Sequence, residues 1–228
     1  MIKSFEKNYT ENGYVMKYEK SKILYNFTNR VLQFKIEMKD IEPKIWRRIL
    51  VSPDYNLWDL HVAIQDAMGW QDCHLHTFEF KQKRKKIIER VGIPDFESFH
   101  ESEIVFPGWE ISVLEYFNDL GVEAKYLYDF GDSWEHNVVL EGYIFKESKV
   151  KYPVCIDGER ACPPEDCGGV PGYYELLETL SNPNAEEYKE IKEWVGKNWN
   201  SEQFEKKSVK FFDPYKRWIN AFLKSNPN

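Results

Sequence analysis

The sequence has no run of about 18 consecutive apolar residues, so nothing in it reads as a membrane-spanning helix. Its opening stretch, MIKSFEKNYTENGYVMKYEK, lacks the apolar core of a secretory signal. A cytoplasmic, non-membrane protein is the expectation, and the Asn-x-Thr sequons at Asn8 and Asn26 then carry no glycan. Cysteine is scarce, with four in 228 residues, and a reducing compartment keeps such thiols free. That excludes a disulfide-framework domain. Positive charge is not in excess either: 31 basic against 38 acidic side chains give a net charge of -7. Such a chain is poorly suited to wrapping duplex DNA. There is no internal repeat and no low-complexity tract.

What the chain does have is core-forming material. Apolar residues make up 42% and aromatics 16%, with eight tryptophans, which argues for a packed globular domain and against disorder. Residues 1–30 are polar and without period and read as an N-terminal extension. Residues 31–228 read as one α+β domain. VLQFKIEM alternates, with Leu32, Phe34, Ile36 and Met38 on one side, as in a half-buried strand. After a turn holding Asp40 and Pro43, IWRRILV reads as its hairpin partner. Arg47 and Arg48 are consecutive, so a strand sends them to opposite faces.

Asn56 and Asp59 form a capping box for a helix with Leu57, Leu60, Ile64, Ala67 and Met68 on its apolar face, closed by Gly69. HLHTFEF follows as a strand with His74, His76, Phe78 and Phe80 on one side. Strand, strand, helix, strand is a β-grasp-like opening, a mixed sheet with one covering helix. The run 81–90 carries six basic residues and one acidic residue and leads into a loop. Ser112 and Glu115 suggest a short capped helix. EAKYLYDF and WEHNVVLEGYIF read as strands, joined by a type II′ turn at FGDS or forming one bulged strand. Residues 152–172 read as a Pro-, Gly- and Cys-rich loop. Helices are expected near 173–180, 185–195 and 214–223. The last is capped by Asp213-Pro214 and faces the core with Tyr215, Trp218, Ile219 and Phe222.

IEPKIWRRILV, MGWQDCHLHTF, YLYDFGDSWEH and GERACPPEDCGGVPGYYELL together resemble the plasmid pRiA4b ORF-three-like family, which includes passenger proteins of insertion elements, some labelled resolvase-like. The match extends from about Val31 to about Trp199. The resemblance implies an α+β fold and a link to mobile elements, and it brings no established reaction. The chain shows no recombinase-like serine with a cluster of catalytic arginines.

Three functional readings follow. In the first, the protein is a binding or interaction module for a protein or small molecule. Its cleft is formed by the YDFGDSWEH and PPEDCGG segments. Asp129, Asp132, His136, Glu165 and Asp166 present the polar groups, and Trp70 and Trp134 supply an apolar wall. In the second, it is a metal-dependent hydrolase or nuclease: His74, His76, Asp129, Asp132 and His136 hold the ion and Glu165 activates a water. In the third, it is a nucleic-acid accessory factor working through the 81–90 run and exposed aromatics. A separate structural Zn site could use Cys155, Cys162 and Cys167, although the x6 and x4 spacings depart from the usual Cys-x2-4-Cys pairs. In the loop itself, Pro163 and Pro164 stiffen the approach, while Gly168 and Gly169 permit positive φ or close backbone contact.

Overall fold

The computed structural model describes residues 9–10, 13–14, 27–81, 88–94 and 104–224. Most of the expected N-terminal extension therefore lies outside the described residues, as does the middle of the basic run, 82–87. A short ribbon, β1 (Tyr9–Thr10) with β2 (Gly13–Tyr14), belongs to the extension.

The chain is α+β. Its strands are β3 (Arg30–Met38), β4 (Trp46–Val51), β5 (His76–Lys81), β6 (Ile88–Gly92), β7 (Val105–Pro107), β8 (Glu123–Tyr128), β9 (Trp134–Phe145) and β10 (Val154–Glu159). They form one eight-stranded sheet in the order β10-β4-β3-β9-β8-β5-β6-β7, antiparallel except at β6–β7. The helices are α1 (Leu57–Met68), α2 (Val113–Tyr116), α3 (Gly169–Ser181), α4 (Tyr188–Trp194) and α5 (Pro214–Phe222). Among the described residues, no helix is long and apolar enough to cross a membrane.

The alternation in β3 does what the pattern requires. Leu32, Phe34, Ile36 and Met38 enter the core, and Gln33, Lys35 and Glu37 remain half-exposed. The outer face of the sheet is tiled with ion pairs such as Arg48–Glu141, Lys125–Glu79 and Arg90–Glu79. Arg48 joins that face and Arg47 turns inward, so the two arginines part as expected.

The capping box of α1 forms as read: Asn56 accepts from the Asp59 N–H, and the Asp59 carboxylate accepts from the Asn56 N–H. Gly69 closes the helix with φ 88°. The amphipathic reading of α1 is too modest, however. All twelve of its residues are buried, because a second layer covers the face turned away from the sheet. There Trp58 and Val62 pack against Trp109 and against Trp218 of α5. Trp58 also donates through Nε1 to the Pro214 carbonyl at 3.0 Å.

Three local expectations need correction. First, residues 152–172 are not all loop. Val154–Glu159 pairs with β4 as the sheet edge, held by backbone hydrogen bonds that a Pro- and Gly-rich composition does not advertise. Second, the β8–β9 connection is a five-residue turn in which Asp129 (φ 57°) and Ser133 (φ 56°) take the left-handed positions, rather than Gly131. The Asp129 side chain makes this affordable by accepting from the N–H groups of Gly131 and Asp132. Third, Tyr215 of α5 is exposed, and the cluster takes Trp218, Ile219 and Phe222.

Trp218 is 3% exposed and sits between the layers. Trp218→Ala should cost about 3–5 kcal/mol of unfolding free energy, read from urea denaturation. A loss below about 1 kcal/mol would mean that the second layer does not stabilise α1.

Candidate functional site

The site is built where two connections meet at one end of the sheet. The first is the turn 129–133. The second is the loop 160–168 that leads into α3. A third segment, 69–75, runs from the end of α1 to β5 and passes beside both. The loop is pinned to the turn by the Gly168 N–H, which donates to Asp132 Oδ2 at 3.1 Å. Gly169 completes the docking. Its φ is 67°, and a Cβ there would sit on the Asp132 carbonyl oxygen, so only glycine permits this approach.

Glu165 ties the loop to the other two segments. Its Oε1 accepts from the Tyr128 hydroxyl at 2.5 Å, and its Oε2 accepts from the Gln71 N–H at 2.7 Å. The Tyr128 hydroxyl in turn accepts from the Cys73 N–H at 3.0 Å. Burial, with the Glu165 carboxylate beside it, pushes the Tyr128 hydroxyl far above its ordinary pKa, so it remains a donor. Trp70 closes the rear of the corner: it stacks on Tyr128 at 5.0 Å and donates to the Pro163 carbonyl at 2.9 Å.

At the corner itself, His74 Nε2 lies 3.0 Å from Asp166 Oδ1 and 3.6 Å from Asp129 Oδ2. One ligating atom from each of these three residues falls within 4.8 Å of the others. Among the described residues, this is the one group of His, Cys, Asp and Glu with that compactness. Its side chains are 30% (His74), 11% (Asp129) and 71% (Asp166) exposed, so one side of the group is open to solvent.

The structure therefore gathers His74, Asp129 and Asp166, with Asp132, Glu165 and Trp70 as their supports. It does not bring in the remaining candidates. His74 does not share a strand face with His76, because β5 begins only at His76. His76 is fully buried and stacks face to face on His61 at a centroid distance of 3.4 Å, with neither ring nitrogen hydrogen-bonded. Burial, and secondly the His61 ring, drive its pKa well down. His136 is also buried, edge-on to Trp70, and burial brings its pKa to about 4. Trp134 is a core residue and lines neither of the two clefts beside the corner. The cysteines do not converge: Cys155 donates to the Asp157 carbonyl, while Cys162 faces Met38 Sδ at 3.8 Å. Burial pushes the thiols of Cys162 and Cys167 up to about 12, so both are protonated in this arrangement.

Two clefts flank the corner, and no residue of the YDFGDSWEH segment lines either, so neither is the cleft expected between that segment and the PPEDCGG loop. One, of about 600 Å³, is lined by Asp72, Cys73, His74 and α5. The other, of about 800 Å³, is lined by Trp70, Pro163, Glu165, Asp166 and the segment 194–212. Gln71 borders both.

Sequence reasoning missed a polar chain behind the corner. Tyr126, His61, Asp72, Arg217 and Asp66 are linked by contacts of 2.8, 2.7, 3.3 and 2.6 Å. His61, Gln65 and Asp66 within an apolar helix were its signal, since buried polar groups need partners.

Comparison with known proteins places these features in a family. The family described as plasmid pRiA4b ORF-3-like protein matches residues 30–208. An uncharacterized protein, y4hQ, of Sinorhizobium fredii (strain NBRC 101917 / NGR234) is 35% identical over 167 residues, 73% of this chain and 81% of that protein. The crystal structure of MM3350 from Methanosarcina mazei Go1, a protein of unknown function, is similar with a TM-score of 0.71 and 37% identity. It covers 80% of this chain and 99% of that one.

Two outcomes are expected. Gly169→Ala should destabilise the fold by about 1–3 kcal/mol in urea denaturation, because it combines strained φ with a backbone clash. The buried histidines should also make stability depend on pH. Their folded pKa values are depressed, so the unfolded chain binds the extra protons, and stability falls as pH drops from about 6.5 toward the folded value. For His136 that loss is on the order of 3 kcal/mol by pH 4. His136→Phe should flatten the slope in pH-resolved urea titrations. An unchanged slope would contradict the assignment.

Proposed function

From the premise that the chain belongs to the plasmid pRiA4b ORF-3-like family, whose two relatives above carry no described reaction, we propose that it is a cytoplasmic binding module. Its recognition surface is the corner formed by His74, Asp129 and Asp166. The observation that carries this reading is the docking of the 160–168 loop on the 129–133 turn. That docking fixes an acceptor-rich, half-open group on a rigid frame. Two carboxylates and an imidazole favour a positively charged ligand, and a divalent cation is its simplest form. The free cysteines agree with a reducing compartment.

The open side of the same three residues favours a second reading, a metal-dependent hydrolase, since catalytic ions keep a free coordination position. Glu165 counts against it. A general base needs an available oxygen, and both of its oxygens already accept hydrogen bonds that hold the corner together. His76 and His136 cannot serve as ligands without opening the core. The family's link to mobile elements leaves a nucleic-acid accessory role as a third reading, with the central part of its basic run, 82–87, outside the described residues.

The test is a Zn²⁺ titration of ¹⁵N-labelled protein, watching the imidazole nitrogens. We expect a saturable shift confined to His74, weakened about tenfold or more by Asp129→Asn and by Asp166→Asn. The loaded protein should leave an activated phosphodiester intact. Absence of any His74 shift would reject the corner as a cation site. Turnover abolished by Asp129→Asn would establish the hydrolase instead.

A further inference from the structure

The larger cleft, of about 800 Å³, contains a feature that the corner does not explain. Arg47, on the core side of β4, is 1% exposed and lines this cleft. Its guanidinium stays charged at neutral pH. Its Nε donates to the Ala67 carbonyl at 3.0 Å. Its Nη1 donates to the carbonyls of Trp46 and Glu159 at 2.8 and 2.9 Å. All these acceptors are neutral. Among the described residues no carboxylate pairs with Arg47, and its Nη2 makes no hydrogen bond. Phe204 covers one face of the guanidinium, with Cζ 3.6 Å from the ring centroid. Gly158 makes that approach possible, since a Cβ there would meet Phe204 Cε1 at 2.6 Å.

A buried cation without a counter-charge is costly, and the cation–π contact with Phe204 offsets only part of that cost. The cleft is where a counter-charge can enter. Its walls are aromatic, from Trp70, Trp194, Trp199 and Phe204, so the body of the entering group is flat and apolar. Its charge is limited to one for two reasons. Nε and Nη1 are committed to carbonyls, which leaves no two-pronged fork for a phosphate. The carboxylates lining the cleft, Asp66, Glu165, Asp166 and Glu205, outnumber its two cations, Arg47 and Lys210, and would repel a second negative charge.

We propose that this cleft binds a small aromatic monocarboxylate, with the Arg47 guanidinium as its counter-ion. The cleft shares Asp166 with the corner, but the proposal turns on Arg47 and uses neither His74 nor Asp129, so a failed benzoate titration leaves the zinc test of the corner untouched.

The test titrates wild-type ¹⁵N-labelled protein with benzoate and, in parallel, with benzyl alcohol and inorganic phosphate. The readouts are the Arg47 Nε–H resonance and the indole N–H resonances of Trp194 and Trp199. Benzoate should shift them saturably, and benzyl alcohol should bind about tenfold more weakly or worse, having lost the charge-assisted bond. Arg47→Met should lose benzoate binding by a similar factor. Should that variant fail to fold, the wild-type comparison decides alone. No saturable benzoate shift at these resonances up to about 10 mM, equal binding of benzyl alcohol, or tighter binding of phosphate would each overturn the proposal.

Discussion

Burying α1 on every side is the constraint from which the rest of the architecture follows. One face lies on the sheet, where Leu60, Ile64 and Ala67 meet the inward rows of the strands. The other needs a lid, and α5 with the 108–110 turn supplies it through Trp109 and Trp218. A helix so enclosed cannot leave its polar side chains in water. His61, Gln65 and Asp66 must find partners within the protein. They find Tyr126 on the sheet, Asp72 on the segment after the helix, and Arg217 on α5. The apolar requirement thereby places the polar chain, and the polar chain fixes α5 and the segment 69–75.

That segment then frames the corner. The Asp72–His61 contact holds its middle, while Gln71 and Cys73 donate their N–H groups to Glu165 and Tyr128. His74 is delivered next to the turn and the loop by segments that are already tied down. A binding surface made of loops is only as precise as its support. Here the support consists of hydrogen bonds from backbone N–H groups and the Tyr128 hydroxyl to side-chain oxygens, one tight glycine and one stacked tryptophan. Two of these bonds occupy both oxygens of Glu165.

The sequence was most readable where local rules act alone. The Asn56–Asp59 box, the Asp213-Pro214 start of α5 and the alternation of β3 follow from capping and period-two burial, and the structure shows all three. The pairing of β10 with β4 was not readable, since an edge strand depends on a partner more than a hundred residues away. The candidate site was partly readable. His74, Asp129 and Asp166 were among the residues singled out, because imidazole and carboxylate groups are the types that hold metal ions or move protons. His76 and His136 were indistinguishable from His74 by residue type. What separates them is where the strand begins: His76 and His136 lie on paired strands and point into the core, while His74, in the same phase as His76, precedes the first paired residue. Arg47 had only its inward strand phase as a clue, and the lack of a counter-charge is a property of the assembled interior.

The central claim is that the docked loop and turn make His74, Asp129 and Asp166 a receiving site for a positive charge. Its most direct test is a crystal of this protein soaked with Zn²⁺, with anomalous differences measured above and below the zinc edge. The account predicts one strong peak bounded by His74 Nε2 and the carboxylates of Asp129 and Asp166, with the loop and turn unmoved. A peak among Cys155, Cys162 and Cys167, or no peak at the corner at full soak, would contradict it.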